Sequence, residues 1–343
     1  MMIMNWFRNI DRSLVQFDFL LRSRENIYQS EIEALGGRVF YVSEYPNKYF
    51  QNKRETTEFF KNHINEYAGI HVHYNALLYV NVFRIARKYG VKLLIGHSHS
   101  TNTKNKLYTL IHKLNKRRIG RLATNYLACS KEAGEWAYNK GIDYQIVKNG
   151  IPLKKFEYND DIRRQVRQEL DLEDKFVIGH VGRFLDVKNH KFLIEIFQLI
   201  AQQREDARLI LVGTGPLKDE IIQLVNAKKL QNKVLFLGVR KDVERLYSAM
   251  DAFVLPSKYE GVGIVLIEAQ ASNLPCYFSD CIPKSILYEE LVHRIPLGEA
   301  NCWGDAILNN ISNNRNVRYN MANNEWDIRY CTQQLQNIYL NTK

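Results

Sequence analysis

The sequence predicts an α/β protein of two doubly wound, Rossmann-like domains, and three observations carry that reading. Short apolar, β-branched runs alternate with segments of helical spacing along most of the chain. A parallel sheet needs a crossover between successive strands, so this alternation is its signature. Glycines close helices just ahead of strands, as Gly36-Gly37 and Gly90 do. A turn signal, Lys148-Asn149-Gly150-Ile151-Pro152, separates two halves that each repeat the pattern.

In the first half, strands are predicted over 15–21, 38–42, 69–73, 91–96 and 126–129, with helices over 55–67 and 78–89. In the second, strands fall over 176–181, 208–212, 234–237, 252–255 and 275–279. Helices over 191–203, 217–228, 243–249 and 265–272 separate them. An Asn-rich tract over 309–324 precedes a last helix from about Trp326 to Tyr339. The predicted organisation is a first domain over 1–148, a second over 149–325, and a closing helix over 326–343 that packs back on the first. Ligands of such folds bind at the carboxyl ends of the strands.

The 343 residues, 45% hydrophobic and 25% charged, describe a globular chain. No apolar run nears the ~18 residues of a membrane span. The apolar start, Met1 to Phe7, is too short for a signal peptide and no small-residue cleavage site follows. Five cysteines without a CxxC pair argue against a disulfide framework or a zinc cluster, and the reducing cytoplasm is the expected compartment.

The net charge is +11, and residues 1–150 carry all of the excess. It is densest at Lys104, Lys106, Lys113, Lys116, Arg117, Arg118 and Arg121, with no acid between Thr101 and Ser130. Leu107, Leu110, Ile111 and Leu114 recur there at helical spacing. A solvated surface helix, a helix resting on anionic lipid, and a nucleic-acid contact all fit this pattern. The last is weakest, because no recognition motif accompanies the charge and the second half is neutral.

Three clusters carry chemistry. In Gly179-His-Val-Gly182-Arg183-Phe-Leu-Asp-Val-Lys188, a strand ends at a glycine, and two cations five residues apart precede a helix. That arrangement suits a diphosphate, although Arg and Lys after a strand are also common on bare surfaces. Gly213-Thr214-Gly215 is a strand-to-helix turn that lacks the third glycine of a dinucleotide fingerprint, so a tight turn explains it almost as well as a ligand. The most specific cluster is Pro256-Ser-Lys-Tyr-Glu260-Gly261-Val262-Gly263-Ile264-Val265-Leu-Ile-Glu268-Ala-Gln270. Its two acids, one in a glycine-bearing loop and one on the following helix, are natural readers of sugar and ribose diols. As a bare pattern the pair is weak; its place after a strand, downstream of Arg183 and Lys188, strengthens it.

The combination resembles glycosyltransferase family four, the retaining GT-B enzymes that use nucleotide-sugar donors. Gly182-Arg183 to Lys188, Gly213-Thr-Gly215, Phe236-Leu-Gly238 and Glu260 to Gln270 carry the likeness, and Asn149-Gly150-Ile151 looks like the family's hinge. The first half is similar to the bacterial capsular and exopolysaccharide branch at Asn9-Ile-Asp-Arg-Ser, Leu35-Gly-Gly, His97-Ser-His99 and Ala128-Cys-Ser130. The resemblance implies retaining transfer of a hexose or N-acetylhexosamine, with UDP the commoner nucleotide, to a growing, lipid-linked glycan at an anionic membrane face. It implies that Arg183 and Lys188 hold the donor diphosphate, Glu268 the ribose and Glu260 the sugar. Gly261 to Val265 would face the pyrophosphate, Val239 and Arg240 the base, and His99 the transferred sugar. His73 and His97 are weaker candidates. No cofactor or metal is expected, since there is no DxD motif and no His/Cys/Asp cluster with metal spacing. The family opens with a strand and a glycine-rich loop that have no counterpart here. Either a longer chain or a truncated, weakened or non-catalytic homologue is therefore expected.

Overall fold

The computed structural model describes residues 2–24, 26–101, 103, 105–282, 287–310, 315 and 324–341. The chain divides into two units: Met1–Gly150 with Ile328–Lys343, and Ile151–Asp327.

The first unit runs α1 (Met2–Asn9), β1 (Phe19–Leu21), α2 (Gln29–Ala34), β2 (Val39–Tyr41), α3 (Tyr49–Asn62), β3 (Gly69–Tyr74) and α4 (Asn81–Lys88). It continues with β4 (Leu93–Ser98), α5 (Lys106–Ile119), β5 (Asn125–Ala128), α6 (Lys131–Ala137) and β6 (Gln145–Ile146). Asn105 and Ser130 cap α5 and α6 by accepting from the Tyr108 and Ala133 amides. All pairings are parallel, but the strands form two sheets, β1-β2 and β3-β4-β5-β6.

The second unit runs α7 (Asp160–Glu169), β7 (Phe176–Val181), α8 (His190–Gln203), β8 (Ala207–Val212), α9 (Lys218–Ala227), β9 (Val234–Gly238) and α10 (Val243–Ala249). Then come β10 (Ala252–Leu255), α11 (Ile264–Ala271), β11 (Cys276–Ser279), β12 (Val292–Ile295) and α12 (Ala300–Asn309). One parallel sheet has the order β12-β11-β10-β7-β8-β9. Successive strands step outward from β7 to β9 and then from β10 to β12, so the direction reverses between β7 and β10. That reversal opens a crevice at the carboxyl ends of the two strands. Ile178, Leu193, Phe197, Leu209, Val254 and Trp303 lie in the core around this sheet.

The closing helix, α13 (Ile328–Asn341), belongs to the first unit, where Ile328, Leu335 and Ile338 share a core with Trp6, Ile95 and Leu127. The units change over at Gly150/Ile151 and at Asp327/Ile328. Ile151 N donates to Trp326 O, while a Cβ on Gly150 would meet Cys331 and Ile328.

Several elements depart from expectation. The first strand begins at Phe19; just ahead of it the Asp18 carboxylate, not a backbone carbonyl, accepts from the Arg38 amide at 2.8 Å. The helix expected over 55–67 spans Tyr49–Asn62, and Asn65 then turns the chain in the left-handed region. The two-residue β6 is exposed, and β12, Val-His-Arg-Ile, is an edge strand too polar to stand out. Helix α7 is strongly charged; its Arg167 is buried against Asp251, which also accepts from the Val177 amide.

Candidate active site

The second unit supplies three βα loops at the crevice. A Cβ on Gly213, whose φ is 136°, would sit 2.1 Å from the Gly182 carbonyl oxygen, so the loops after β7 and β8 touch backbone to backbone. A Cβ on Gly215 would likewise strike the Phe184 backbone at 2.6 Å. These glycines are therefore required by loop packing, whatever else the loops hold.

Lys188 and Glu260 come from the loops on the two sides of the β7/β10 reversal and meet there. Lys188 Nζ donates to Glu260 Oε1 at 2.6 Å, and Ser257 Oγ donates to the same oxygen at 2.7 Å. Both charged side chains are largely buried. The Lys258 amide donates to Val187 O at 2.8 Å and ties the two loops by backbone. Arg183 is exposed on the same β7 loop. Gly263, at φ 66°, caps α11, and Gly261 to Val265 lead into that helix's first turn.

Glu268 lies one to two turns farther along α11. It is 9% exposed and accepts from the Tyr247 hydroxyl at 2.9 Å. Burial raises its pKa from 4.5 to about 7, against the lowering effect of that hydrogen bond. It stands poised between a neutral acid and a carboxylate at pH 7. Val239 is 72% exposed after β9, and Arg240 pairs with Asp242 at 2.7 Å. Beneath the β7 loop the structure adds two buried histidines that sequence reasoning passed over. His180 donates from Nδ1 to Val254 O at 2.8 Å, and His190 stacks on Phe184. Their location at a strand and a helix start was the available signal.

In the first unit, β3 and β4 place His73 opposite His97 in register. His71, His73, His97 and His99 form a grid on one face, covered by the Trp6 ring. His99 Nδ1 is 3.1 Å from Asn149 Oδ1, and its Nε2 is 2.9 Å from His73 Nδ1. Burial lowers the His99 pKa to about 4, so its ring is neutral at pH 7. The sequence reading found no metal-spaced cluster; the fold brings nitrogens of His71, His73 and His97 within 4.8 Å of one another. Strand alternation aligns side chains two residues apart, and parallel pairing then doubles the pair. Two of these nitrogens are already engaged, His71 Nε2 with His97 Nδ1 at 3.1 Å.

The basic stretch forms α5, and the structure gives its apolar stripe a direction. Its buried residues are His112, Asn115 and Ile119, while Leu107, Leu110 and Leu114 are 60%, 56% and 46% exposed. The apolar stripe faces outward with Lys106, Lys113, Arg117 and Arg118, because the polar His112 and Asn115 bond inward to the Leu77 backbone. Lys116 leaves the basic face and donates to Glu135 O. Arg121 is exposed just past the helix, and Lys104 lies outside the described residues.

The glycosyl transferases group 1 family model matches residues 161–285, the segment that contains all three loops. The Bacillus subtilis protein named as the glycosyltransferase EpsF is 35% identical over 323 residues, covering 89% of this chain and 82% of the relative. An Escherichia coli galactosyltransferase, named for UDP-Gal and an α-D-GlcNAc-diphosphoundecaprenol acceptor, is 28% identical over 209 residues, covering 57% of this chain and 53% of the relative. Among solved structures, Anabaena HepE with UDP and glucose superposes with a TM-score of 0.76 at 19% identity, over 95% of this chain and 99% of that one. Fold and relatives define the class, a transferase with the α/β GT-B fold. Within that class, the chain belongs to the glycosyl transferases group 1 family, as its likeness to EpsF shows.

Proposed function

We propose that the protein transfers a sugar, with retention of configuration, from a UDP-sugar to a lipid-linked glycan during capsular or exopolysaccharide assembly at an anionic membrane face. The observation that carries the proposal is the pairing of Lys188 with Glu260 across the sheet reversal, with the buried Glu268 on the helix that follows. In this reading, Lys188 and Arg183 stabilise charge on the leaving diphosphate. The amides of Gly261 to Val265, at the start of α11, face the same phosphates. Glu260 contacts the sugar, Glu268 accepts from the ribose hydroxyls, and Val239 and Arg240 lie against the base. His99, kept neutral by burial and oriented by its hydrogen bond with Asn149, contacts the transferred sugar. The cations take the place of a metal ion in stabilising the diphosphate.

UDP in the HepE structure, the name of EpsF and the diphosphoundecaprenol acceptor of the E. coli relative support donor, pathway type and acceptor. The outward leucines and cations of α5 support a membrane-resting helix over a merely solvated one. Among the described residues no helix is long and apolar enough to cross a membrane. The test is thermal stability across UDP-, GDP- and ADP-sugars, with and without EDTA. A ligand of the folded state raises the melting temperature by mass action. A shift with UDP-sugars alone, unchanged by EDTA, is the expected outcome. A metal-dependent shift removes the metal-free mechanism, and a shift with another nucleotide removes the UDP assignment.

A further inference from the structure

Tyr247 of α10 is fully buried, and its hydroxyl lies between two oxygens of α11. It is 2.9 Å from Glu268 Oε2 and 3.3 Å from Val265 O. A tyrosine hydroxyl has a single proton to donate. The shorter contact gives that proton to the carboxylate, because a hydrogen bond to an ionised acceptor is the stronger one. Oε2 is thereby engaged. Among the described residues Glu268 Oε1 has no hydrogen bond. Tyr247 and Glu268 stand 21 residues apart, so their contact is set by the packing of α10 on α11.

The tyrosine is held firmly. Its ring packs edge-on against Phe253 of β10, with centroids 5.6 Å apart, and tilted against Phe156 at 6.1 Å. Its carbonyl accepts from Arg315 Nη2 at 3.0 Å, and the same buried guanidinium donates to Ser248 O and Ser272 O. Arg315 therefore ties the end of α10 to the end of α11. Burial, Glu268 and the buried Cys276 thiol of β11 all push the Tyr247 pKa up, so the phenol keeps its proton and donates it. Burial raises the Glu268 pKa, and Tyr247 is the largest influence against that rise. Glu244 of α10 raises it further, and Lys155, on the turn Leu153–Phe156, lowers it; those two pair with each other at 3.0 Å. Strand β10 presents only the apolar Ala252 to Leu255.

The hydroxyl also has a second acceptor within reach, the Val265 carbonyl. When Glu268 takes up a proton from solvent on Oε2, that oxygen becomes the donor and the Tyr247 oxygen the acceptor. The phenolic proton then turns to Val265 O, and nothing but hydrogen bonds is exchanged. Two arrangements of the same three groups thus follow the charge of Glu268. In the charged one, Oε1 is a full carboxylate acceptor, aimed by the bond on Oε2. In the neutral one, it is the weaker carbonyl oxygen of an acid.

We propose that Tyr247 is the positioning residue of Glu268: its hydroxyl holds Oε2 of the charged carboxylate, aims Oε1 at a ribose hydroxyl, and turns to Val265 O when Glu268 is neutral. The proposal rests on the reading of Glu268 as the ribose acceptor. Titration calorimetry with UDP and with 2′,3′-dideoxy-UDP, from pH 6 to pH 9, tests both on the parent, Tyr247→Phe and Glu268→Gln. Removing a donor from the charged form raises the carboxyl pKa. The midpoint of UDP affinity in Tyr247→Phe is therefore expected about one pH unit above the parent's. UDP binding is then roughly fivefold weaker than the parent's at pH 7 and nearly equal to it at pH 9. A weakening of the same size at every pH would reflect packing alone and overturns the proposal, as does a profile superimposed on the parent's. The ribose reading is checked separately. The parent should prefer UDP to the dideoxy nucleotide, and Glu268→Gln should lose most of that preference. A glutamine variant that keeps all of it removes the ribose reading, and the proposal with it, whatever Tyr247→Phe does. One readout needs no variant. In the unliganded parent, the carbon resonance of Tyr247 Cζ should move in step with the Glu268 carboxyl, near pH 7. A Cζ resonance that stays fixed while the carboxyl titrates overturns the turn to Val265.

Discussion

The two units follow the same strand-helix logic and end in different states. In the second, one six-stranded sheet is continuous and its central strands β7 and β10 pair directly. In the first, the strands divide between two sheets, β1-β2 and β3-β4-β5-β6, with a cavity lined by β1 and β3. Charge divides the same way: the chain's excess of +11 lies within residues 1–150. The comparison separates two kinds of interaction. In the proposed function the second unit supplies the loops for a nucleotide and sugar, and the first supplies the basic face for an anionic partner.

The largest effect expected from this division concerns α5. Replacing Lys106, Lys113, Arg117 and Arg118 with Gln should weaken binding to anionic vesicles by roughly 10²–10³-fold, at about 1 kcal/mol per surface cation. Donor-induced thermal shifts should stay unchanged. Vesicle flotation matching the parent would remove the membrane role of α5. Next comes Lys188→Ala, which should reduce turnover by ~10²-fold if Lys188 stabilises the leaving diphosphate. Vesicle binding should be untouched, and a kcat near the parent's would break the assignment of chemistry to the β7/β10 crevice.

Smaller effects follow from Glu268. Nucleotide affinity should fall by roughly tenfold from pH 8 to pH 6, as the carboxylate with a pKa near 7 takes up its proton. Titration calorimetry of Glu268→Gln should show a flat profile over that range, and a parent profile equally flat would sever Glu268 from the ribose. Stability runs the other way. The folded chain keeps this proton between pH 4.5 and about 7, where the unfolded chain has released it. The stabilisation is whole below pH 4.5 and lost as the pH rises through 7, at most about 3 kcal/mol. Denaturant unfolding at pH 5 and 8 should show this loss in the parent and a smaller one in Glu268→Gln. A parent equally stable at both values would contradict the raised pKa.

The second unit was the more legible from sequence. Its central strands are buried on both faces, so the runs Phe176–Val181 and Ala252–Leu255 read as strands without ambiguity. Glu260 and Glu268 stood out because their loop follows such a strand. The contact between Lys188 and Glu260, 72 residues apart, was not legible, since it depends on β10 lying beside β7. The histidine grid was hidden for the same reason: His71 and His97 are neighbours only through the pairing of β3 with β4. In α5, spacing revealed an apolar stripe but not its direction, because His112 and Asn115 win the inward face by hydrogen bonding to backbone.

The bond between Lys188 and Glu260 bears on what the resting protein ignores. A lone anion such as orthophosphate or sulfate meets an ammonium whose charge is already balanced by a neighbouring carboxylate. Taking hold of the lysine would leave that largely buried carboxylate without its counterion. A molecule that carries both a diphosphate and a hydroxylated ring has a group to offer each partner as they separate. Under the proposed function the ion pair would therefore select against small anions and in favour of a ligand that satisfies both halves at once.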